Sequence, residues 1–200
     1  MKIDLWFATP VYHHDANDAD TEMIQSSVAQ MLELEYREIL SRDDARSRSY
    51  VQSRHPQHRQ VLQKYQLDNL HHWLTLHCGG FVKKLHPDAK ALEIRESWLN
   101  FYFPGDSQEV HHHMHPTHPS FISGSLYLQA SPDSGDIKFY HPAFGVSGYQ
   151  SAQGLETFEA SYPPQPNRLV LFRSHVPHAV MPNRSDKVRI SLSFNVYIQD

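Results

Sequence analysis

Five histidines, His111, His112, His113, His115 and His118, crowd one short stretch of the chain, and about 65 residues later come His175 and His178, followed by Arg189 and Ser191. Neutral imidazole is a ligand for iron, copper, nickel and zinc, so two close donors and one distant donor could hold a redox-active ion. A lone His-x-His pair is weak evidence, because sixteen histidines in 200 residues produce roughly one such pair by chance. Context has to supply the specificity. On a strand, residues two apart point the same way at a spacing of about 6.6 Å, so His111 and His113 can face one ion while His112 turns away. His113 and His115 form a second candidate pair. His178, which follows the apolar run Arg168-Leu-Val-Leu-Phe172, is placed to supply the distant ligand, with His175 as its rival. His112 and His118 read as surface imidazoles. Arg189 matters next. Pointing into a barrel it would be a costly buried charge without a carboxylate partner, and its planar fork of donors suits a dicarboxylate. Ser191, on the same strand face, can add a hydrogen bond.

These residues need strands to hold them. From Glu93 onward, short β-branched and aromatic runs alternate with Pro, Gly and Asp, and the candidate strands are 94–103, 108–114, 122–129, 136–140, 155–160, 168–173 and 188–198. Many short strands with frequent turn signals imply a sandwich or small barrel. The last strand is the most legible. Ile190, Leu192, Phe194, Val196 and Ile198 share one face, and Arg189, Ser191, Ser193, Asn195 and Tyr197 the other. The apolar face would support helices, and the polar face would either meet solvent or line the barrel mouth. Trp98, Phe101, Tyr102, Phe121, Phe139 and Tyr140 are candidates for a dry wall, with core packing as the competing role.

Upstream, Ile24, Val28, Met31, Leu32, Tyr36, Ile39 and Leu40 form an amphipathic helical stripe between Asp20 and Leu40, capped by Asp20 or Thr21. A second helix starts after Pro56 and runs through Leu62, Tyr65, Leu70, Trp73, Leu74 and His77 until Gly79-Gly80 weakens it. Between the two helices and into the start of the second, Arg42, Arg46, Arg48, Arg54 and Arg59 read as a solvated loop or as a lid over an anionic substrate.

At 200 residues the chain fits one domain, with 1–92 supplying an N-terminal strand and supporting helices and 93–200 the core with the metal site. A single cysteine, Cys78, permits no internal bridge, and the start of the chain has no apolar signal region, which points to the cytoplasm. No apolar stretch is long enough for a membrane helix. A formal charge of −4 and a pI near 6.4 argue against nucleic acid as a partner. Association into a homodimer is left open.

The residues also carry a resemblance. Leu5-Trp-Phe-Ala-Thr-Pro-Val-Tyr12, Ser97-Trp-Leu-Asn100, Gly105-Asp-Ser-Gln-Glu-Val-His111-His-His113, Ser123-Gly-Ser-Leu-Tyr127-Leu, Ser134-Gly135 and the stretch Leu171 to Asn195 resemble the 2-oxoglutarate/Fe(II)-dependent oxygenases. The most specific part is His178 followed eleven residues later by Arg189-x-Ser191. The resemblance implies a mainly β (α+β) fold, a double-stranded β-helix or jelly-roll barrel with the N-terminal helices packed outside. It implies iron(II) on His111, His113 and His178, and the distal carboxylate of 2-oxoglutarate on Arg189 and Ser191. It further implies that Tyr127 assists that carboxylate, and that Asn100 contacts the co-substrate or substrate. The reaction would be a dioxygenase reaction of O2 with a small-molecule substrate, hydroxylation being its usual outcome. Upstream register favours His111 with His113, whereas spacing to Ser123-Gly124 favours His113 with His115. The wider superfamily has a carboxylate where this chain has His113, and Glu109 is a candidate to supply the acid. Two other readings fit parts of the pattern: a cupin-like three-histidine metalloenzyme that does not use 2-oxoglutarate, and a metal- or metabolite-binding module without turnover.

Overall fold

An eleven-residue strand, β10 (Arg189–Gln199), organises the molecule. In the computed structural model, which describes residues 8–41, 51–52, 60–117, 119–141 and 159–199, this strand lies inside a six-stranded antiparallel sheet. Its neighbours are β3 (Ala91–Tyr102) and β5 (Ile122–Gln129), and the sheet continues through β8 (Arg168–Arg173) to β1 (Val11–Asp15) on one side and to the short β2 (Val51–Gln52) on the other. A second, four-stranded antiparallel sheet is ordered β4 (Gln108–His111), β9 (His178–Val180), β6 (Ile137–Tyr140) and β7 (Glu159–Tyr162).

The alternation of β10 sets the layers. Ile190, Leu192, Phe194 and Val196 are buried in the larger core together with Leu99, Phe101, Leu126, Leu169 and Leu171 from neighbouring strands. That face is covered by α1 (Asp18–Leu40) and α3 (Asp68–Leu85), which contribute Ile24, Val28, Met31, Leu70, Leu74 and Cys78. The opposite face of the sheet meets the small sheet through a second cluster in which Tyr127, Val170 and Phe172 pack on Ile137 and Phe139. Burying both faces of a sheet is what makes its central strands so apolar on one side and so selectively polar on the other.

The helices depart from the sequence reading in three places. The cap of α1 is Asn17, whose side chain accepts from the Asp20 N–H, rather than Asp20 or Thr21. The second helix is two: α2 (Val61–Lys64) ends in a turn where Gln66 adopts a φ of 52°, and α3 begins two residues later. Gly79 and Gly80 do not end α3, which continues to Leu85. A Cβ on Gly79 would meet Leu92 Cδ2 at an ordinary contact distance of 3.5 Å and one on Gly80 would meet nothing, so packing does not require glycine at either position. Cys78 lies in the same stretch with no exposed surface, and burial pushes its thiol well above the ordinary range.

One apolar stripe position carries a charge. Glu35, on the buried face of α1, accepts from Lys64 Nζ at 2.8 Å and Tyr65 Oη at 2.6 Å, tying α1 to α2. The arginine-rich segment and His118 lie outside the described residues. No helix among the described residues is long and apolar enough to cross a membrane.

Strand β5 carries a glycine where a side chain cannot fit. A Cβ on Gly124 would overlap Phe194 Cζ and Cε2 and reach within 2.8 Å of Leu171 Cδ2. Gly124→Ala is expected to lower unfolding stability by about 1–3 kcal/mol through overpacking, read as a shifted denaturant midpoint; an unchanged midpoint would show that the Phe194 ring moves aside at no cost.

Candidate active site

The two sheets enclose a cavity of about 600 Å3. Arg189, Ser191, Ser193, Asn195 and Tyr197 of β10 all line it, so the polar face of that strand is cavity wall and not outer surface. Strand β3 contributes Glu96, Trp98, Asn100 and Tyr102, and its alternate residues Leu99 and Phe101 turn to the helices. Of the proposed aromatic wall, Trp98 and Tyr102 therefore face the cavity, Phe101 and Phe121 belong to the larger core, and Phe139 packs in the smaller one.

At one end the sheet register brings histidines together. Strands β4 and β9 pair antiparallel with His111 opposite His178. His113 is not on the strand with His111, as the sequence suggested. Opposite it the chain turns through Arg173–Val176, closed by the Val176 N–H to Arg173 O hydrogen bond, so the ladder stops and the His113 N–H donates to Ser174 O at 2.9 Å. The rings nevertheless converge. Ring centroids lie 4.2 Å apart for His111 and His178, 5.0 Å for His113 and His178, and 5.3 Å for His111 and His113. One potential ligand atom from each falls within 4.8 Å of the others. His115 is exposed and engaged with Thr117, His175 is exposed, and Glu109 is not in the group, its backbone carbonyl instead contacting His111 Nδ1.

Hydrogen bonds fix how the three rings present themselves. Nδ1 of His111 faces Glu109 O at 2.9 Å, Nδ1 of His178 faces Val176 O at 3.0 Å, and Nδ1 of His113 faces Asn195 Oδ1 at 2.9 Å. A carbonyl oxygen can only accept, so each Nδ1 carries the proton and each Nε2 keeps its lone pair. Burial drives His178 well below the ordinary histidine range, reinforced by its His111 and His113 neighbours, and burial likewise lowers His111. Neutral imidazoles with inward lone pairs are the donor set that a divalent transition metal requires. Gln108 Nε2 lies 3.2 Å from His111 Nε2 and Gln108 Oε1 accepts from Tyr102 Oη, so this glutamine fills part of the space between the histidines and the arginine.

At the other end lies Arg189, 2% exposed. Its guanidinium stacks 4.1 Å from the Tyr102 ring centroid and 5.6 Å from that of Tyr127, and Nη1 donates to the carbonyls of Ser134 and Gly135. Gly135 has a φ of 93°, and a Cβ there would collide with Met181 O, so the carbonyl that steers the arginine depends on glycine. Arg189 Nε is buried without a partner, and among the described residues no carboxylate pairs with the guanidinium. A buried, uncompensated cation of this kind is costly unless a ligand anion completes it. Tyr127, 1% exposed, and Ser191, 2% exposed, share this end, while Asn100 donates to Ser193 Oγ and keeps an unpartnered, buried Oδ1. The donor set thus fits a metal at one end, and the orphaned guanidinium fits a carboxylate at the other.

Sequence reasoning passed over Glu96 and gave no role to Gln108 or Ser123, which entered only as members of motifs. Asn195 was visible as part of the polar face of β10, but its partner could not be known without the sheet register.

Comparison with known proteins agrees with this chemistry. The family model described as "Putative 2OG-Fe(II) oxygenase" matches residues 96–195, from the first cavity residue of β3 to Asn195. The chain belongs to the 2OG-Fe(II) oxygenase family, and iron(II) and 2-oxoglutarate are its cofactor and co-substrate. Its fold is the double-stranded β-helix of that family. A Pseudomonas putida prolyl-4-hydroxylase is 18% identical, with 96% of this chain and 94% of that one covered at a TM-score of 0.59. The non-heme alpha ketoglutarate dependent carbocyclase SnoK from nogalamycin biosynthesis is 16% identical, with 96% and 80% covered at a TM-score of 0.62. The chain spans 50% of the length of a Burkholderia pseudomallei oxidoreductase of the 2OG-Fe(II) oxygenase family, at 15% identity over 58% of this chain and a TM-score of 0.45. A search of curated proteins gave no match.

Arg189→Lys keeps the charge but loses the forked contacts to the Ser134 and Gly135 carbonyls and the planar stack on Tyr102. Binding of 2-oxoglutarate, followed by anaerobic calorimetry, is expected to weaken by at least about tenfold, the order of one charge-assisted hydrogen bond, with iron stoichiometry retained; equal affinity would place the co-substrate carboxylate elsewhere.

Proposed function

We propose that this protein is an iron(II)- and 2-oxoglutarate-dependent dioxygenase that oxidises a small molecule, by hydroxylation, within the cavity between the two sheets. His111, His113 and His178 would hold the iron. Arg189 and Ser191 would hold the distal carboxylate of 2-oxoglutarate, with Tyr127 beside it and Asn100 contacting the co-substrate or substrate. The observation that carries this reading is the buried Arg189, with no carboxylate partner among the described residues, in the same cavity as three histidines that each bring one potential ligand atom within 4.8 Å of the others.

When bound, iron(II) and 2-oxoglutarate supply O2 activation, with decarboxylation of the co-substrate to succinate coupled to oxidation of a substrate C–H bond. The chain's own residues do the rest. The Nδ1 hydrogen bonds hold the three imidazoles in one tautomer and so keep their lone pairs directed inward. Tyr102 and the Ser134 and Gly135 carbonyls fix the plane of the guanidinium, so a dicarboxylate enters in one orientation. Trp98, Phe172 and Ile137 exclude water from part of the cavity wall.

Arg189 also bears on the competing readings. A three-histidine metalloenzyme working without 2-oxoglutarate has no use for this cation, and a module without turnover would release no succinate. Two of the structural relatives, a prolyl hydroxylase and a carbocyclase, differ in reaction outcome, so the fold does not select the substrate. The single, buried Cys78 suits a reducing compartment, and we place the reaction in the cytoplasm.

Anaerobic protein loaded with Fe(II) is expected to gain a weak visible charge-transfer band on addition of 2-oxoglutarate and to lose it in Arg189→Ala. No band in the parent protein would refute the proposal. His178→Ala is expected to abolish stoichiometric iron while the far-ultraviolet circular dichroism spectrum is kept, and unchanged iron content would remove His178 from the site.

A further inference from the structure

Two of the three histidines rest on backbone carbonyls, and the third rests on a chain of side chains. Asn195 Oδ1 takes His113 Nδ1 at 2.9 Å and the Ser123 hydroxyl at 2.8 Å, and Asn195 Nδ2 donates to Glu96 Oε2 at 2.6 Å. The three supporting residues stand in one rank across the sheet, because Asn195 of β10 pairs in register with Ser123 of β5 on one side and with Glu96 of β3 on the other. The β10–β3 register shifts immediately after Asn195, a local irregularity of the kind that re-aims a side chain. Ser123 and Asn195 are 0% and 5% exposed, so the centre of the chain is dry, while Glu96 and His113 at its two ends are half-buried.

The carboxylate gives the chain its direction. Ionised Glu96 can only accept, so the amide NH2 of Asn195 must face it and the amide oxygen must face His113. That oxygen can only accept in turn, which puts the proton on His113 Nδ1 and leaves Nε2 unprotonated. The orientation of an asparagine and the tautomer of a histidine, otherwise ambiguous, are both decided by one charge at the far end.

We propose that Glu96 and Asn195 are positioning residues that lock His113 as a metal ligand, and that Glu96 supplies through them the negative character that three neutral imidazoles lack. The proposal rests on His113 being a ligand. Supporting residues of this sort raise the basicity of a ligating imidazole and hold its ring plane, although they do not touch the ion. His113 needs such support more than its companions, since it sits beyond the end of β4, whereas His111 and His178 are held by the paired ladder.

Anaerobic Co(II) titration of the full chain, followed by its visible absorption, tests the relay with His113→Ala as reference. Asn195→Ala is expected to weaken Co(II) binding by about 10- to 100-fold. Glu96→Gln keeps an acceptor oxygen for Asn195 but removes the charge; it should lose part of that affinity, with the thermal midpoint of the metal-free protein unchanged. If Glu96→Gln binds Co(II) as tightly as the parent, the charge plays no part and the proposal is overturned. If His113→Ala itself binds normally, the ligand assignment falls and the relay with it, a result distinct from normal binding by the two relay variants alone. Should Asn195→Ala not fold, 15N NMR of the parent's imidazoles decides: His113 with Nδ1 protonated and Nε2 bare is expected, and the reverse tautomer overturns the proposal.

Discussion

The constraint that governs this molecule is that β10 is an interior strand with both faces buried. A side-chain period of two means that every second residue must satisfy a different environment, and the sequence Arg189-Ile-Ser-Leu-Ser-Phe-Asn-Val does so without exception. Its apolar residues are the seat on which the helices rest. Its polar residues cannot reach bulk water, so each has to find a partner in the cavity or wait for a ligand. The core and the site are two sides of the same eleven residues, and a one-residue slip would exchange them.

The polar side is economical with its partners. Asn183 fixes the turn before the strand by donating to the Tyr102 and Lys187 carbonyls, and Asn195 is fully engaged near the other end. Of the buried atoms left unsatisfied among the described residues, Arg189 Nε and Asn100 Oδ1 belong to cavity-lining residues, whereas His14 Nε2, Ser131 Oγ and Arg173 Nε belong to residues outside that lining. Buried polar groups without partners are rare in folded chains, and those that line a cavity mark a position that a ligand can complete. The cost of keeping the guanidinium dry is moderated by stacking on Tyr102 and by the carbonyls of Ser134 and Gly135, which hold it without neutralising it.

The sequence made this strand readable because alternation needs no knowledge of neighbours. Strands at 122–129 and 168–173 were legible too, the second as a short continuous apolar run, and both match the structure residue for residue. What depends on pairing was not legible. No spacing rule places His111 opposite His178, since the register is set by the two sheets closing on each other, and the short β9 (His178–Val180) carries too few residues to show a pattern. The second helix was misjudged because its break occurs at Gln66, a residue with no turn signature, and because Gly79-Gly80 reads as a stop when considered locally. The buried stripe of Leu74, Cys78, Phe81 and Val82 on either side of the pair overrides that propensity. Glu35 was likewise hidden, as a carboxylate on an apolar stripe makes sense only once Lys64 and Tyr65 are beside it.

The placement of sulfur has its own consequence for a protein that handles dioxygen. The sole cysteine is sealed between helix and sheet, and its thiol is held protonated, so the thiolate that peroxide attacks is scarce and out of reach. Met114, by contrast, lines the cavity and is 43% exposed. A methionine sulfoxide is repairable, so the exposed sulfur sits where its oxidation can be reversed and the thiol sits where oxidants do not reach.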